Sequence, residues 1–188
     1  MLKELVQRNR SYRRFRPYDV DRDTLRELVD LARLSASGAN RQPLKYILSA
    51  EPDRNAAIFP HLRWAGYLAD WDGPAEGERP SAYIVILGDH DVADSFGVDH
   101  GIAAQSMLLG ATEKGLGGCI IASVDRDALR RALDIADRYE ILLVLALGRP
   151  GEEVRVEAVD TGGNIRYWRD AEGVHHVPKR SLDDLIVA

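Results

Sequence analysis

The chain has 188 residues, 45% hydrophobic and 29% charged, which suits one ordinary domain with a real core and excludes a disordered segment. A formal net charge of −5 argues against a general nucleic-acid binder, which carries a net basic surface. A single cysteine, Cys119, excludes an intramolecular disulfide and a cysteine-based zinc site.

Residues 2–9 predict a short amphipathic helix with Leu2, Leu5 and Val6 on one side, and nothing in them has the long apolar run of a secretory signal. The stretch 8–16 then packs five arginines into nine residues. Arg10, Ser11 and Arg13 place two guanidinium groups and a hydroxyl within four positions, the donor set that a phosphate monoester needs. The same spacing also fits a solvated basic face on the first helix. A loop is predicted over 10–18, ended by Pro17.

Residues 22–35 predict a strong amphipathic helix, with Asp21 as N-cap and Leu25, Leu28, Val29 and Ala32 at the spacing that buries one face. Residues 35–43 are small residues and amides closed by Pro43, a loop that permits close backbone approach to a ligand. A strand follows at 46–48, then helical pieces around Pro60 over 53–69. Residues 66–80 form a long irregular loop carrying Trp71, either a connector or a lid over a site.

The apolar run 82–87, bounded by Pro80 and Gly88, predicts a buried central strand. Residues 97–114 predict a helix with little charge on any side, buried nearly all round. Gly115-Leu116-Gly117-Gly118 ends it. A short apolar segment, 119–122, precedes Asp125, which caps a charged helix over 126–133. Residues 139–147 give a second buried strand, closed by Gly148-Arg149-Pro150. Residues 154–177 are expected to be β-rich and exposed, with a hairpin over 165–177, and 181–186 to form a short helical tail. The longest apolar run, 141–147, is too short to span a bilayer. The expected compartment is therefore a reducing cytoplasm, with no membrane and no nucleic acid as partner. No repeat or composition shift marks a second domain, so one domain over 1–188 is expected.

The side chains offer little catalytic chemistry of their own. None of the five histidines stands in a metal-ligand spacing, and no metal site is expected. Cys119 sits in an apolar run, as a small buried residue does. No serine occupies a Gly-x-Ser-x-Gly elbow. The glycines at 115–118 follow a helix and open a strand, the reverse of a dinucleotide-binding fingerprint.

Taken in order, these segments resemble the nitroreductase family of FMN-dependent oxidoreductases. Arg10-Ser11-Tyr12-Arg13-Arg14-Phe15 resembles the family's N-terminal Arg-Arg-Ser-x-Arg-x-Phe signature. Ser37-Gly38-Ala39-Asn40-Arg41-Gln42-Pro43-Leu44 resembles its Pro-Ser-x-x-Asn-x-Gln-Pro-Trp loop. The helix over 97–114 and its glycine turn, the ending Gly148-Arg149-Pro150 and the pair Lys179-Arg180 are similar to further family segments. Asn9, Ala36 and Leu44 depart from the pattern.

The resemblance implies an α+β fold, with a mixed central sheet flanked by helices. It further implies an intertwined homodimer in which an extended C-terminal arm, here 151–188, embraces the partner. It implies FMN as cofactor and NAD(P)H as co-substrate, in ping-pong hydride transfer through flavin N5 to a nitroaromatic, quinone or similar small-molecule acceptor. Arg10, Ser11 and Arg13, with Lys179 or Arg180, would hold the phosphate. Ser37, Asn40 and Gln42 would meet the ribityl chain or ring edge. Ile120, Ile121, Ala122 and Ser123 would flank the ring, with the backbone of Ala122 and Ser123 near N5. No side chain would be an obligate catalytic acid or base. The alternatives are a flavin-binding or sensor protein on the same fold without fast turnover, or a specialised dehalogenating or flavin-modifying branch.

Overall fold

A computed structural model describes residues 1–187; Ala188, the last residue of the expected domain and arm, lies outside the described residues. Five helices, α1 (Leu2–Arg8), α2 (Arg22–Leu34), α3 (Pro52–Ile58), α4 (Asp99–Glu113) and α5 (Arg126–Leu133), accompany eight strands. The central sheet holds β1 (Phe15–Arg16), β2 (Leu44–Ser49), β3 (Ala82–Asp89), β4 (Gly117–Ile121) and β5 (Tyr139–Pro150). β3 lies between β2 and β5, and the other edge of β5 takes β4 and then β1.

Every ladder in this sheet is antiparallel. The parallel pairing that mixes the β structure comes from an isolated bridge, Ser11 to Gly118, and from a second, three-stranded sheet. In that sheet β6 (Val154–Ala158) runs parallel to β8 (His175–Lys179), which pairs antiparallel with β7 (Trp168–Arg169).

β3 explains the layering. All eight of its residues are buried, and their alternation feeds two cores. Ile84 and Ile86 face a cluster with Leu25, Leu28, Ala104 and Met107 from α2 and α4. Tyr83, Val85 and Leu87 face a second cluster with Ile58 of α3 and Leu129 of α5. The period of two that puts successive side chains on opposite faces thus builds a helix–sheet–helix sandwich. A register shift between Ile86 and Leu87 accompanies a change of face along β5: Leu145 and Leu147 serve the first core, and Ile141 the second.

α2 forms as its sequence predicts. Asp21 accepts the Thr24 N–H at 2.6 Å, and Leu25, Leu28 and Ala32 are buried. Burial of each leucine contributes about 2 kcal/mol. α4 is enclosed over most of its length, and Gly110 lets α2 approach, since a Cβ there would stand 2.2 Å from Leu31 Cδ1.

Three expectations are corrected. The loop over 10–18 contains a strand, because Phe15 and Arg16 pair with Pro150 and Arg149. The segment 154–177 is not exposed throughout: Val174, His175 and His176 are buried. Residues 181–186 form a turn, with Leu185 N–H bonded to the Leu182 carbonyl, and no helix. That segment has too few residues to pay helix nucleation without a packing partner. No helix is long and apolar enough to cross a membrane among the described residues.

Candidate functional site

The basic loop is laid against β4. Ser11 bridges Gly118, and the Tyr12 N–H donates to the Gly118 carbonyl at 3.0 Å. Glycine at 117 permits this approach, since a Cβ there would lie 2.5 Å from the Tyr12 ring; at Gly118 a Cβ would instead lie 2.5 Å from the Ala146 carbonyl oxygen of β5. The glycine turn therefore delivers the arginine loop to the strand that ends at Ile121.

Beyond Ile121 the β4–β5 ladder stops, and Ala122 and Ser123 are exposed. A second wall is tied to them. The Arg63 N–H donates to the Ser123 carbonyl at 2.9 Å, and Leu62 bridges Val124. Between the walls lies a cavity of about 310 Å³ lined by Arg13, Arg63, Trp64, Ile120, Ala122 and Ser123, with Cys119 and Ile121 in its floor. Burial pushes the Cys119 thiol above its ordinary pKa, with Arg13 opposing, so it stays a protonated thiol.

Arg13 and the predicted residues 120–123 are thus brought together. Arg10 is not part of that lining: its Nη2 turns back to the Val6 carbonyl at 2.6 Å, and its Nε is buried without a partner. Ser11 stands at the loop edge, its carbonyl accepting from Arg13 Nη1 at 3.3 Å.

The amide loop is a separate cluster. The Ser37 hydroxyl donates to Asp99 Oδ2 at 2.6 Å, and the Gly38 N–H to Asp99 Oδ1 at 2.9 Å. The Gln42 N–H donates to Ser37 Oγ at 2.9 Å. Ala39, Asn40 and Gln42 all hold positive φ, of 51°, 56° and 51°. Three such residues in four positions are a strained run that the surrounding bonds must enforce. The run leaves the Asn40 and Gln42 side chains exposed, with Gln42 Nε2 donating to Asn40 Oδ1 at 3.2 Å. A cavity of about 180 Å³ beside it is lined by Ser37, Gln42, Tyr46 and Asp99. Burial, and then the Asp99 charge, pushes the Tyr46 hydroxyl up to about 12, so it remains a neutral donor.

Lys179 and Arg180 form a third cluster at the end of β8. They line a shallow depression with Asp160, Thr161 and Asp184 and share no lining residue with the Arg13 cavity. Within one chain the predicted residues therefore fall into three groups.

Residues outside the predicted set complete the Arg13 surroundings. The Glu152 side chain is 2% exposed; its Oε1 accepts the backbone N–H groups of Arg13 at 2.5 Å and Arg14 at 3.0 Å, and its Oε2 accepts from Arg169 Nη2 at 2.8 Å. The Arg13 guanidinium lies 4.9 Å from the Tyr167 ring centroid, with Nη1 3.2 Å from His175 Nε2. Trp71, from the loop over 66–80, is flanked by Arg169 at 4.9 Å and Arg14 at 5.9 Å. The sequence carries no local signal for Glu152 or His175, because both act across more than 130 positions. Asp99 was legible only as a residue inside the helix predicted over 97–114; the structure makes it the first residue of α4.

The profile of the Nitroreductase family matches residues 6–72 and 77–149. The chain is 26% identical to the Bacillus subtilis (strain 168) protein MhqN, named as an NAD(P)H nitroreductase, with 80% of this chain and 89% of MhqN covered. Its fold is similar to that of a nitroreductase family protein from Streptococcus pneumoniae TIGR4, with a TM-score of 0.70 at 19% identity, covering 82% of this chain and 93% of that one. It is also similar to a nitroreductase from Exiguobacterium sibiricum 255-15 solved in complex with FMN, with a TM-score of 0.67 at 18% identity, covering 81% and 89%.

Proposed function

The chain belongs to the nitroreductase family, and from that premise we propose that it is an FMN-dependent oxidoreductase. The single observation that carries the reading is the cavity that Arg13 shares with the exposed residues Ala122 and Ser123. A cation and two exposed residues beyond the end of a strand, in one cavity, suit a ligand with an anionic tail and a hydrogen-bonding ring. The name of MhqN and the FMN complex of the Exiguobacterium protein support the same assignment.

FMN, when bound, would supply hydride acceptance from NAD(P)H and its delivery to a nitroaromatic, quinone or similar conjugated acceptor. The residues of this chain bind and orient. Arg13 meets the phosphate, with Arg10 and Ser11 on the same loop. The Ala122 and Ser123 backbone addresses the ring near N5. Ser37, Asn40 and Gln42 present their amides and hydroxyl from a loop that shares no cavity with Arg13 in one chain. A homodimer, with residues 151–187 contacting the second subunit, would bring that loop, and Lys179 or Arg180, to the same ligand. No side chain is needed as an obligate acid or base, in keeping with a cavity lined by two arginines and no carboxylate.

Purification of the Arg10→Ala/Arg13→Ala variant tests the assignment. The expected result is a colourless protein that regains little flavin on reconstitution, beside a yellow wild type. A double variant as yellow as the wild type would remove the phosphate role of this loop.

A further inference from the structure

Arg13 is fixed by its own C-terminal extension from three directions. Glu152 holds its backbone N–H, the Tyr167 ring lies 4.9 Å from its guanidinium, and His175 Nε2 stands 3.2 Å from Nη1. Tyr167 is itself braced, with its ring centroid 5.2 Å from that of His175 and its hydroxyl accepting the Tyr67 N–H at 3.3 Å.

The Arg13–His175 contact has a direction. A guanidinium only donates, so Nε2 must accept, and the ring proton sits on Nδ1. His175 Nδ1 is buried and has no partner. A buried donor without an acceptor is costly. The opposite tautomer would set an N–H against a cation, which is worse. The charged or titratable groups that face this ring are Arg13 from the first loop, Glu152 from the segment after β5, Arg169 from β7 and the adjacent His176. Burial, and then Arg13, hold its pKa down to about 4, so the acceptor stays neutral at physiological pH.

We propose that His175 is a positioning residue for Arg13: with the Tyr167 ring beneath, its imidazole aims the guanidinium into the cavity so that the remaining N–H groups meet an anionic ligand. The proposal rests on the reading that Arg13 meets the FMN phosphate. It gives β8 a supporting role behind Arg13 as well as a place in the expected arm.

The experiment measures dissociation constants of FMN and of riboflavin, which lacks the phosphate, by quenching of flavin fluorescence. The proteins are wild type, Arg13→Ala, His175→Phe, His175→Gln and the double variant Arg13→Ala/His175→Phe. Arg13→Ala is expected to weaken FMN about tenfold or more and leave riboflavin unchanged. His175→Phe is expected to weaken FMN by about tenfold, again sparing riboflavin. His175→Gln, whose amide oxygen accepts the same bond, should stay within about threefold of wild type. In the double variant the histidine substitution should add nothing, because a residue acting through Arg13 has no effect once Arg13 is gone.

The proposal is overturned if His175→Phe leaves FMN binding intact, weakens both flavins alike, or adds its full effect in the double variant. If Arg13→Ala itself binds FMN like the wild type, the phosphate reading falls first and takes the proposal with it. Should His175→Phe fail to fold, Tyr167→Leu enters the same cycle with the same expected non-additivity.

Discussion

The Ser37 hydroxyl donates to the buried carboxylate of Asp99 at 2.6 Å, and through it the start of α4 governs a loop 62 positions away. Asp99 also accepts the Gly38 N–H, and Ser37 accepts the Gln42 N–H. These bonds hold a run of positive-φ residues that would otherwise relax. Asp99→Ala should destabilise the fold by about 2–3 kcal/mol in chemical denaturation. It should also weaken flavin binding while leaving Arg13 untouched. A variant as stable as the wild type would show that the loop holds its shape without α4.

Glu152 is the second buried carboxylate with a long reach. It joins the Arg13 and Arg14 backbone to the Arg169 guanidinium, so its removal leaves a buried cation and two N–H groups without their acceptor. Glu152→Ala is expected to cost about 3–5 kcal/mol by equilibrium unfolding. A loss below 1 kcal/mol would mean that water replaces the carboxylate freely, about the value of an exposed pair.

The adjacent His175 and His176 titrate with opposite signs. Burial and then Arg13 lower the His175 pKa to about 4, so the unfolded chain binds a proton first and stability falls as pH drops from about 6.5 towards 4. Hydrogen bonds to Asp170 and then Glu157 raise the His176 pKa, so its contribution is complete below the unfolded value and is lost as pH rises through the folded one. Unfolding curves across pH should show His175→Gln flattening the acid limb and His176→Gln flattening the limb that begins at about 6.5 and runs upward. Equal slopes in the wild type and both variants would contradict the assignment.

Gly118 is constrained by backbone on one side. A Cβ would stand 2.5 Å from the Ala146 carbonyl oxygen, which the β4–β5 ladder prevents from moving aside. Gly118→Ala should cost about 3 kcal/mol in stability. It should also displace Tyr12, whose N–H donates to the residue 118 carbonyl, and with it Ser11, which bridges residue 118. Retention of both stability and flavin affinity would show that the sheet edge yields more than its pairing implies.

Local features were legible in the sequence. The caps Asp21 and Asp125 lie where the helices start, accepting from Thr24 and Ala128, and the run at 82–87 is the central strand. What the sequence hid depends on distant partners. β1 exists only because Phe15 finds Pro150, and His175 is buried only because the first loop and Tyr167 enclose it. The candidate site follows the same division. Arg13 and residues 120–123 were named from motif order and share a cavity, whereas Arg10, named on equal grounds, points back to α1. The direction of a side chain leaving a loop is set by its contacts, and spacing alone does not contain it.

On the proposed function, this cavity holds a flavin that takes hydride from a nicotinamide donor. The decisive measurement is anaerobic mixing of the FMN-reconstituted protein with NADH, and separately with NADPH. Rapid bleaching of the visible flavin band is expected with at least one donor, and its return when a quinone or nitroaromatic is added. A flavin band that persists with both donors would contradict oxidoreductase function and leave a flavin-binding protein without turnover.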